Sequence, residues 1–347
     1  MGVFAALAGV ACRGRNDSAP APAPAPSAGA AADATRPLRI AMIAKSASNP
    51  SFVAARTGAE NRARELSASL NRPVRIEWLT PPQEDGAVQA QRIAQAVKEG
   101  MDAVLLSCSD ARAVTPAIDD AVAHGVPVMT FDSDAPDSKR FAYCGVDDVK
   151  AGETILEELA RLVPRGAHVA VLAGNRAAPN LSRRVEGVLR EAARRPDLKV
   201  IGTFYTVETP EEASATVIHI DAAHPDIEGW AMVGGWALYT KTLLNDLQQD
   251  GRRRRRPVKI VSINALPPQL AYVEAGVAPV LLAQPTYRWG EMGVDAIVDK
   301  LTGKGASPAR IPAELVRVSA DNLGGWARQL RDWGFADVPE ELLRQPK

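Results

Sequence analysis

The chain has 347 residues, 46% of them apolar and 24% charged, which is the composition of a globular protein with room for two ordinary domains. Lysine plus arginine equals aspartate plus glutamate at 41 each. This balance gives no support for nucleic acid or an anionic membrane surface as a partner. No apolar run approaches the roughly 20 residues that a transmembrane helix needs.

The N-terminal region, residues 1–36, differs in composition from the rest. The apolar run Val3–Ala11 precedes Cys12 directly, which resembles the end of a bacterial lipoprotein signal, although Gly9 replaces the usual leucine and no basic residue precedes it. The stretch Asn16–Thr35 is rich in alanine and proline and is typical of a semi-rigid tether. We expect lipidation at Cys12 and a protein in the periplasm or on the outer face of the cytoplasmic membrane, held by its lipid anchor alone. The alternative is a disordered terminus with an incidental cysteine.

Apolar runs alternate with helical periods from Leu38 onward, in two successive series. The first series contains the predicted strands Leu38–Ala44, Val74–Leu79, Ala103–Ser107, Val126–Phe131 and Phe141–Cys144 and the helices Phe52–Ala68, Asp85–Glu99 and Thr115–His124. The second contains the strands His168–Ala173, Lys199–Tyr205, Gly229–Val233, Lys259–Ile263 and Val280–Ala283, the helices Ser182–Arg194, Pro210–Ala222, Ala237–Gln248, Pro268–Glu274 and Tyr287–Leu301, then the strand Glu314–Val318 and the tail helix Asn322–Gly334. This alternation predicts an α/β protein with two similar lobes, each built on a parallel sheet.

Two further features belong to particular positions. Cys108 and Cys144 lie near the ends of two strands of one sheet that we expect not to be neighbours, so we predict two reduced thiols, one of them buried. The five arginines Arg252–Arg256 favour a solvated turn, because like charges repel, and a docking patch for an acidic partner is the alternative.

Catalytic and metal-binding motifs are missing from the sequence. The four histidines have no metal-ligand spacing, and no strand is followed by a P-loop, a G-x-S-x-G or a G-x-G-x-x-G pattern. This favours binding over catalysis, and we expect no enzyme activity, no cofactor and no metal.

Polar and aromatic side chains recur at the carboxyl ends of the predicted strands, where ligands sit in doubly wound sheets. Amide and carboxylate groups suit vicinal hydroxyls, aromatic faces suit sugar rings, and lysine supplies a positive charge. The alternative for each polar residue is a helix N-cap or a turn. The predicted ligand-binding residues are Lys45, Asn49, Phe52, Asp132, Ser133, Asn180, Ser182, Gly234, Trp236, Asn264 and Gln284.

Several local patterns together resemble the periplasmic sugar-binding proteins of ABC transporters, of the ribose-binding type related to LacI-like ligand-binding cores. The patterns are Asn49–Phe52 with Gly58-Ala59, Pro127–Asp132, Asp147-Asp148 with Ala151-Gly152, Arg184 with Glu186-Gly187, and Ala283–Pro285. The resemblance implies a type I periplasmic binding protein, with two Rossmann-like lobes joined by a three-crossover hinge near Val146, Pro285 and Ala313. One lobe would comprise residues 37–146 and 286–313, and the other residues 147–285 and 314–335.

The resemblance also assigns roles to single residues. Asn49 and Phe52 match the polar and stacking positions of the first loop, and Asp132 matches the acid that holds sugar hydroxyls. Gln284 matches the hinge-side amide, and Asn264 stands where the family usually has aspartate.

Departures from the ribose-binding pattern give information about the ligand. Serines replace a stacking aromatic at Ser51 and arginines at Ser133 and Ser182. Gly234 replaces an asparagine, and Lys45 replaces a small polar residue. Trp236 offers a replacement aromatic surface. The pentose-binding set is therefore incomplete, which favours a different sugar, a sugar acid or a polyol. Lys45 would meet an anionic group of the ligand or, alternatively, pair with Asp132 or Asp134.

The resulting hypothesis is a monomeric extracytoplasmic protein that captures a small carbohydrate and delivers it to ABC permease subunits. A sensor feeding a chemoreceptor or histidine kinase is the main alternative. A transcription-factor core would need an N-terminal DNA-binding element in place of the tether, and a hydrolase would have Asp132 as its only candidate base.

Overall fold

The computed structural model describes residues 1–3, 36–251, 257–305 and 308–345. The chain divides into Met1–Arg36 and Pro37–Lys347, and the second unit holds every helix and strand given below. Cys12, the stretch Asn16–Thr35 and the five arginines 252–256 lie outside the described residues, so the hypotheses about them stay predictions. Within the described residues no helix combines the length and apolarity needed to cross a bilayer.

The described residues form twelve strands and eleven α-helices. The strands are β1 Leu38–Ile43, β2 Val74–Trp78, β3 Ala103–Leu106, β4 Val128–Phe131, β5 Ala142–Gly145, β6 Ala167–Ala173, β7 Leu198–Tyr205, β8 Ile227–Met232, β9 Lys259–Ile263, β10 Val280–Ala283, β11 Arg310–Pro312 and β12 Val316–Ser319. The helices are α1 Pro50–Leu70, α2 Gly86–Lys98, α3 Ala111–Ala123, α4 Asp148–Leu162, α5 Pro179–Ala193, α6 Pro210–Ala223, α7 Lys241–Gly251, α8 Pro267–Glu274, α9 Thr286–Thr302, α10 Leu323–Asp332 and α11 Glu340–Leu343.

The strands form two six-stranded sheets, one in each lobe. The first has the order β11-β5-β4-β3-β1-β2 and is wholly parallel. The second has the order β12-β10-β9-β8-β6-β7 and is parallel except for β12, which runs antiparallel to β10. The chain passes between the sheets three times, after β5, β10 and β11. The predicted fold class, two parallel-sheet lobes joined by three crossovers, is confirmed.

The central strands are buried on both faces, as expected when helices cover a parallel sheet. Every residue of β3, β4 and β5 in the first lobe and of β10 in the second is buried. These strands are short and mostly apolar, which is why the sequence located them within one or two residues.

Several elements differ from the sequence prediction. Helix α4 was not predicted, although Asp147 caps it by accepting a hydrogen bond from the backbone N–H of Lys150 at 3.1 Å. The helix predicted at Ala237–Gln248 is a short 3₁₀ turn, Trp236–Tyr239, followed by α7. The break between them falls at Thr240, whose extended backbone ends the turn. The short elements β11 and α11 were also not predicted.

Both described cysteines, Cys108 and Cys144, are free thiols. They follow β3 and end β5, which β4 separates, so the prediction that their strands are not neighbours is confirmed. The prediction that only one of them is buried is wrong, because helices cover both faces of this sheet and both thiols are fully buried. Burial raises the pKa of both thiols, that of Cys144 to about 12, which keeps them protonated and unreactive.

Glycines allow two helix pairs to pack with their backbones in contact, one pair in each lobe. In the first lobe α1 packs on α9, and a Cβ on Gly58 or Gly290 would clash with the carbonyl oxygen of Tyr287 or Ala55, respectively. In the second lobe Gly152 and Gly187 play the same part between α4 and α5. These contacts fix the position of one helix against another in each lobe.

We expect Gly290→Ala to lower the free energy of unfolding by about 1–3 kcal/mol, because the new methyl group forces α9 away from α1. Urea unfolding followed by circular dichroism measures this change. Gly325→Ala in α10 is the matched control, since a Cβ there meets nothing within 4 Å. The control should be neutral or gain up to about 1 kcal/mol from the better helix propensity of alanine. Equal unfolding midpoints for the two variants would contradict this account of the packing.

Candidate functional site

A cavity lies between the two lobes, at the carboxyl ends of both parallel sheets. It encloses about 350 Å³ of empty space, counting its mouth. In the first lobe, residues that follow β1 and β4 line the cavity. In the second lobe, its wall comes from the start of α5 and from residues that follow β7, β8, β9 and β10. This is the position at which doubly wound sheets bind ligands.

The structure brings together nine of the eleven residues predicted from the sequence to bind a ligand. The nine that line the cavity are Lys45, Asn49, Phe52, Asp132, Asn180, Gly234, Trp236, Asn264 and Gln284. Ser133 and Ser182 do not line it. Ser133 is fully buried beside Asp132, and Ser182 is exposed on α5, where its hydroxyl donates to the carbonyl oxygen of Arg176 at 2.8 Å.

Six lining residues were not among those predicted, namely Ser51, Leu181, Arg184, Glu208, Gly235 and Trp289. Glu208 follows β7 by three residues, so the strand-end argument that found the others could have found it as well. Arg184 and Trp289 lie on helices, where that argument does not apply.

Asp132 and Asn264 occupy equivalent positions in the two lobes. Each directly follows a central strand and has a left-handed backbone, with φ of 58° and 69° respectively. Aspartate and asparagine tolerate this conformation better than most residues. It turns the chain sharply at the strand end and leaves both side chains in the cavity wall.

Asp132 is the hydrogen-bond acceptor at the centre of the first-lobe wall. One carboxylate oxygen, Oδ2, accepts from the hydroxyl of Ser107 at 2.9 Å, and Oδ1 accepts from Nδ2 of Asn180 in the second lobe at 3.2 Å. The Arg184 guanidinium lies 3.9 Å from Oδ1. The carboxylate therefore contacts both lobes.

Arg184 is a buried residue of the cavity wall that hydrogen-bonds three elements of the second lobe. Its Nε donates to Asp148 at 2.9 Å, Nη1 to the carbonyl oxygen of Val233 at 3.2 Å, and Nη2 to Gln284 at 2.8 Å. Gln284 in turn donates to Oδ1 of Asn264 at 3.0 Å. Burial raises the pKa of Asp148 to about 6 although Arg184 opposes this shift.

Lys45 is almost fully buried, and acidic side chains of both lobes surround it. Its ammonium group donates to Oδ1 of Asn180 at 3.2 Å and lies 3.9 Å from the carboxylate of Glu84. Burial by itself lowers the pKa of Lys45, but Glu208, Glu84 and Asp132 together outweigh this effect and raise it. Lys45 is thus held in its charged form, and its nearest ion pair is Glu84 rather than Asp132 or Asp134. Asp134 pairs with Arg140 instead.

For Glu208, the effect of burial on the pKa outweighs the effect of the opposite charge nearby. Burial of its carboxyl group raises its pKa to about 7, the ammonium of Lys45 opposes the shift, and the neighbouring carboxylate of Glu84 adds to it. Asn175 bonds both acids, donating its backbone N–H to Glu208 at 3.0 Å and its side-chain amide to Glu84 at 3.2 Å. Glu84 and Glu208 belong to different lobes, so this acidic pair lies at the seam between them.

Aromatic rings cover opposite sides of the cavity. Phe52 meets Phe131 edge to face with ring centroids 6.3 Å apart, and Phe131 meets Trp289 at 6.1 Å, which makes one apolar wall. Trp236 comes from the second lobe, and its ring lies over Gly234, where a Cβ would overlap the indole. The Trp236 ring can therefore occupy this position only because residue 234 is a glycine.

The comparisons with known proteins agree with this architecture. The model of the periplasmic binding protein domain matches residues 40–305. This chain belongs to that family. The resemblance inferred from the sequence is thereby confirmed.

Individual members of the periplasmic binding protein family show how far the similarity extends. The ribose import binding protein of Bacillus subtilis is 26% identical over 267 residues, covering 76% of this chain and 82% of that one. Its Escherichia coli counterpart is 24% identical, covering 80% and 88%. A solved solute-binding protein from Burkholderia graminis, in complex with D-arabinose, superposes with a TM-score of 0.77 at 25% identity, covering 83% of this chain and 97% of that one.

The raised pKa of Glu208 predicts a pH-dependent stability. The folded-state pKa of about 7 lies above the ordinary 4.5, so the folded protein holds this proton more tightly. The carboxyl group costs no stability below about pH 4.5 and costs progressively more as the pH rises through 7. Glu208→Gln should therefore reduce the fall in unfolding free energy between pH 5 and pH 8 by roughly 1–3 kcal/mol.

Urea titrations at the two pH values measure that difference. Asp148 contributes in the same direction in both proteins and cancels in the comparison. Glu314→Gln, at an exposed position, is the control and should follow the wild type. The same pH dependence in wild type and Glu208→Gln would show that Glu208 does not titrate in this range.

Proposed function

We propose that this protein binds a small uncharged carbohydrate, a sugar or a polyol, between its two lobes. The observation that carries the proposal is the composition of the cavity: aromatic faces from opposite lobes, with amide and carboxylate groups between them. Flat apolar faces suit the C–H surfaces of a sugar ring, and amides and carboxylates suit its hydroxyls.

The charge distribution argues for an uncharged ligand over the sugar acid that the sequence also allowed. The ammonium of Lys45 is already balanced by Glu84, Glu208 and Asp132, and Arg184 is bound to Asp148. Two acidic side chains, Asp132 and Glu208, line the cavity beside the two basic ones, so a ligand carboxylate would meet no net positive charge to compensate for its desolvation.

Lobe closure provides a means of capture. Asn180 of the second lobe bonds both Lys45 and Asp132, and Asn264 donates to the hydroxyl of Ser51 in the first lobe at 3.2 Å. A ligand that replaces or extends these contacts stabilises the closed arrangement of the lobes. A membrane permease could recognise that closed form.

The relatives support a role in transport. The similar proteins named above include ribose import binding proteins and a solute-binding protein of an ABC transporter. We propose that this chain delivers its sugar to ABC permease subunits as an extracytoplasmic monomer and that it catalyses no reaction. The sensor alternative would show the same sugar binding but no permease partner.

A thermal-shift and calorimetric panel on the full chain tests the proposed function. The panel comprises D-ribose, D-arabinose, D-allose, D-fucose and D-tagatose, and adds D-galactose with its acid D-galacturonate as a matched pair. At 100 times its dissociation constant a true ligand stabilises the protein by about 2.7 kcal/mol. We expect at least one uncharged sugar to bind and D-galacturonate to bind more weakly than D-galactose. Tighter binding of the acid would contradict the uncharged class.

Asp132→Asn should weaken binding of the tightest sugar roughly 10- to 100-fold, because an amide replaces a carboxylate acceptor while the left-handed backbone is retained. Asp110→Asn is the matched control, since Asp110 only caps α3 and asparagine caps equally well. Unchanged calorimetric affinity of Asp132→Asn would remove Asp132 from the site.

We further propose that Cys12 is the acylated residue of a lipoprotein. Metabolic labelling with a clickable palmitate analogue in a bacterial host should mark the wild type and leave Cys12→Ser unlabelled. Cys108→Ser, which removes a fully buried thiol, is the control and should remain labelled. Equal labelling of wild type and Cys12→Ser would exclude this site.

A further inference from the structure

The indole N–H of Trp289 is a buried hydrogen-bond donor without an acceptor in the described part of the protein. Trp289 is 1% exposed, and it lines the cavity between the lobes. An indole nitrogen can only donate, and a buried donor without a partner is unfavourable. Two other buried tryptophans do have partners: Trp230 donates to Asp221 at 3.2 Å and Trp326 to the carbonyl oxygen of Ala265 at 2.6 Å.

The Trp289 ring is held in one position by its surroundings. The ring contacts the fully buried ring of Phe131 at a tilt of 53°, and the next residue, Gly290, lets α9 pack directly on the backbone of Ala55. The direction of the N–H bond is therefore set before any ligand arrives. Such preorganisation makes a hydrogen bond selective as well as favourable.

The neighbouring polar groups do not replace this donor. Arg184 already donates to three partners, and the amide of Asn264 donates to Ser51 and Tyr239. The buried hydroxyls of Ser133 and Thr286 also lack partners, but neither residue lines the cavity. Among the described residues, Trp289 thus lines the cavity and has a buried N–H group without an acceptor.

We propose that Trp289 donates this hydrogen bond to an oxygen atom of the bound carbohydrate and thereby selects the ligand. The proposal rests on the proposed sugar-binding function. The selected feature is an acceptor oxygen, a ring oxygen or a hydroxyl, on the side of the ligand that faces the first lobe. A protonated amine at that position is rejected, because two donors would face each other, and a deoxy position leaves the N–H unpaired.

Trp289→Phe in the full chain tests the contact, because phenylalanine keeps an aromatic ring and removes only the donor and part of the ring. The probe is whichever of D-ribose, D-arabinose, D-allose, D-fucose, D-tagatose and D-galactose binds the wild type most tightly by calorimetry. We expect its dissociation constant to rise about tenfold, the effect of losing one hydrogen bond. A deoxy analogue of that sugar lacking the contacted oxygen should bind wild type and variant alike.

Trp326→Phe is the matched control, since the same substitution there removes an N–H that already has a protein acceptor. It should lower the melting temperature and leave the dissociation constant unchanged. A second readout is the indole ¹⁵N–¹H resonance of Trp289, assigned from its contacts to Phe131. Saturation with the sugar should move this resonance downfield, which a purely structural tryptophan would not show.

The possible outcomes separate the two proposals. Sugar binding that is equally tight in wild type and Trp289→Phe overturns the role of Trp289 and leaves the proposed function standing. Failure of all six uncharged sugars of the panel, D-galactose included, to bind the wild type counts against both proposals. If Trp289→Phe does not fold, the wild-type resonance decides, and no shift at saturation overturns the role of Trp289.

Discussion

The burial of one positive charge, the ammonium group of Lys45, constrains the arrangement of the whole cleft. A buried ammonium needs opposite charges and hydrogen-bond acceptors close by, since its lost hydration is otherwise uncompensated. Here the acceptor is Asn180 and the carboxylates are those of Glu84, Glu208 and Asp132, which come from both lobes. When the lobes meet and bury Lys45, carboxylates of both lobes compensate for its lost hydration, and this charge balance is the basis for proposing an uncharged ligand.

Close packing of helix backbones fixes the relative positions of the segments within each lobe. Each lobe has one pair of helices in direct contact through glycines, at Gly58 and Gly290 in the first and at Gly152 and Gly187 in the second. Three of these helices, α1, α5 and α9, carry or directly follow residues that line the cavity, so the packing also positions that part of its wall. In the second lobe, the Arg184 side chain also links three segments. It donates hydrogen bonds to Asp148 of α4, to Val233 after β8 and to Gln284 after β10. Each side of the cleft is thus tied together by contacts within its own lobe.

Most residues of the candidate site were predictable from the sequence because they follow the carboxyl ends of parallel strands. Parallel strands present their carboxyl ends at one edge of a sheet, so polar residues that follow predicted strands converge, as Asp132, Asn264 and Gln284 do. The rule also gave Ser133, which follows a strand but points away from the cavity, because it cannot tell which of two successive side chains faces the ligand. The resemblance to the ribose-binding type supplied Ser182 by position, and this serine lies exposed on α5.

The sequence by itself determined the alternation of strands and helices, the two-lobed fold class and most strand-end residues, because these depend on local periodicity and on short apolar runs. Only the tertiary structure decided which groups neutralise Lys45, why Gly234 accompanies Trp236, that both cysteines are buried, and that the indole of Trp289 lacks an acceptor. Those features depend on contacts between segments far apart in the chain, such as the 135 residues that separate Lys45 from Asn180. Local pattern carries no information about such distances, and the burial that shifts the pKa of Glu208 arises only once both lobes are in place.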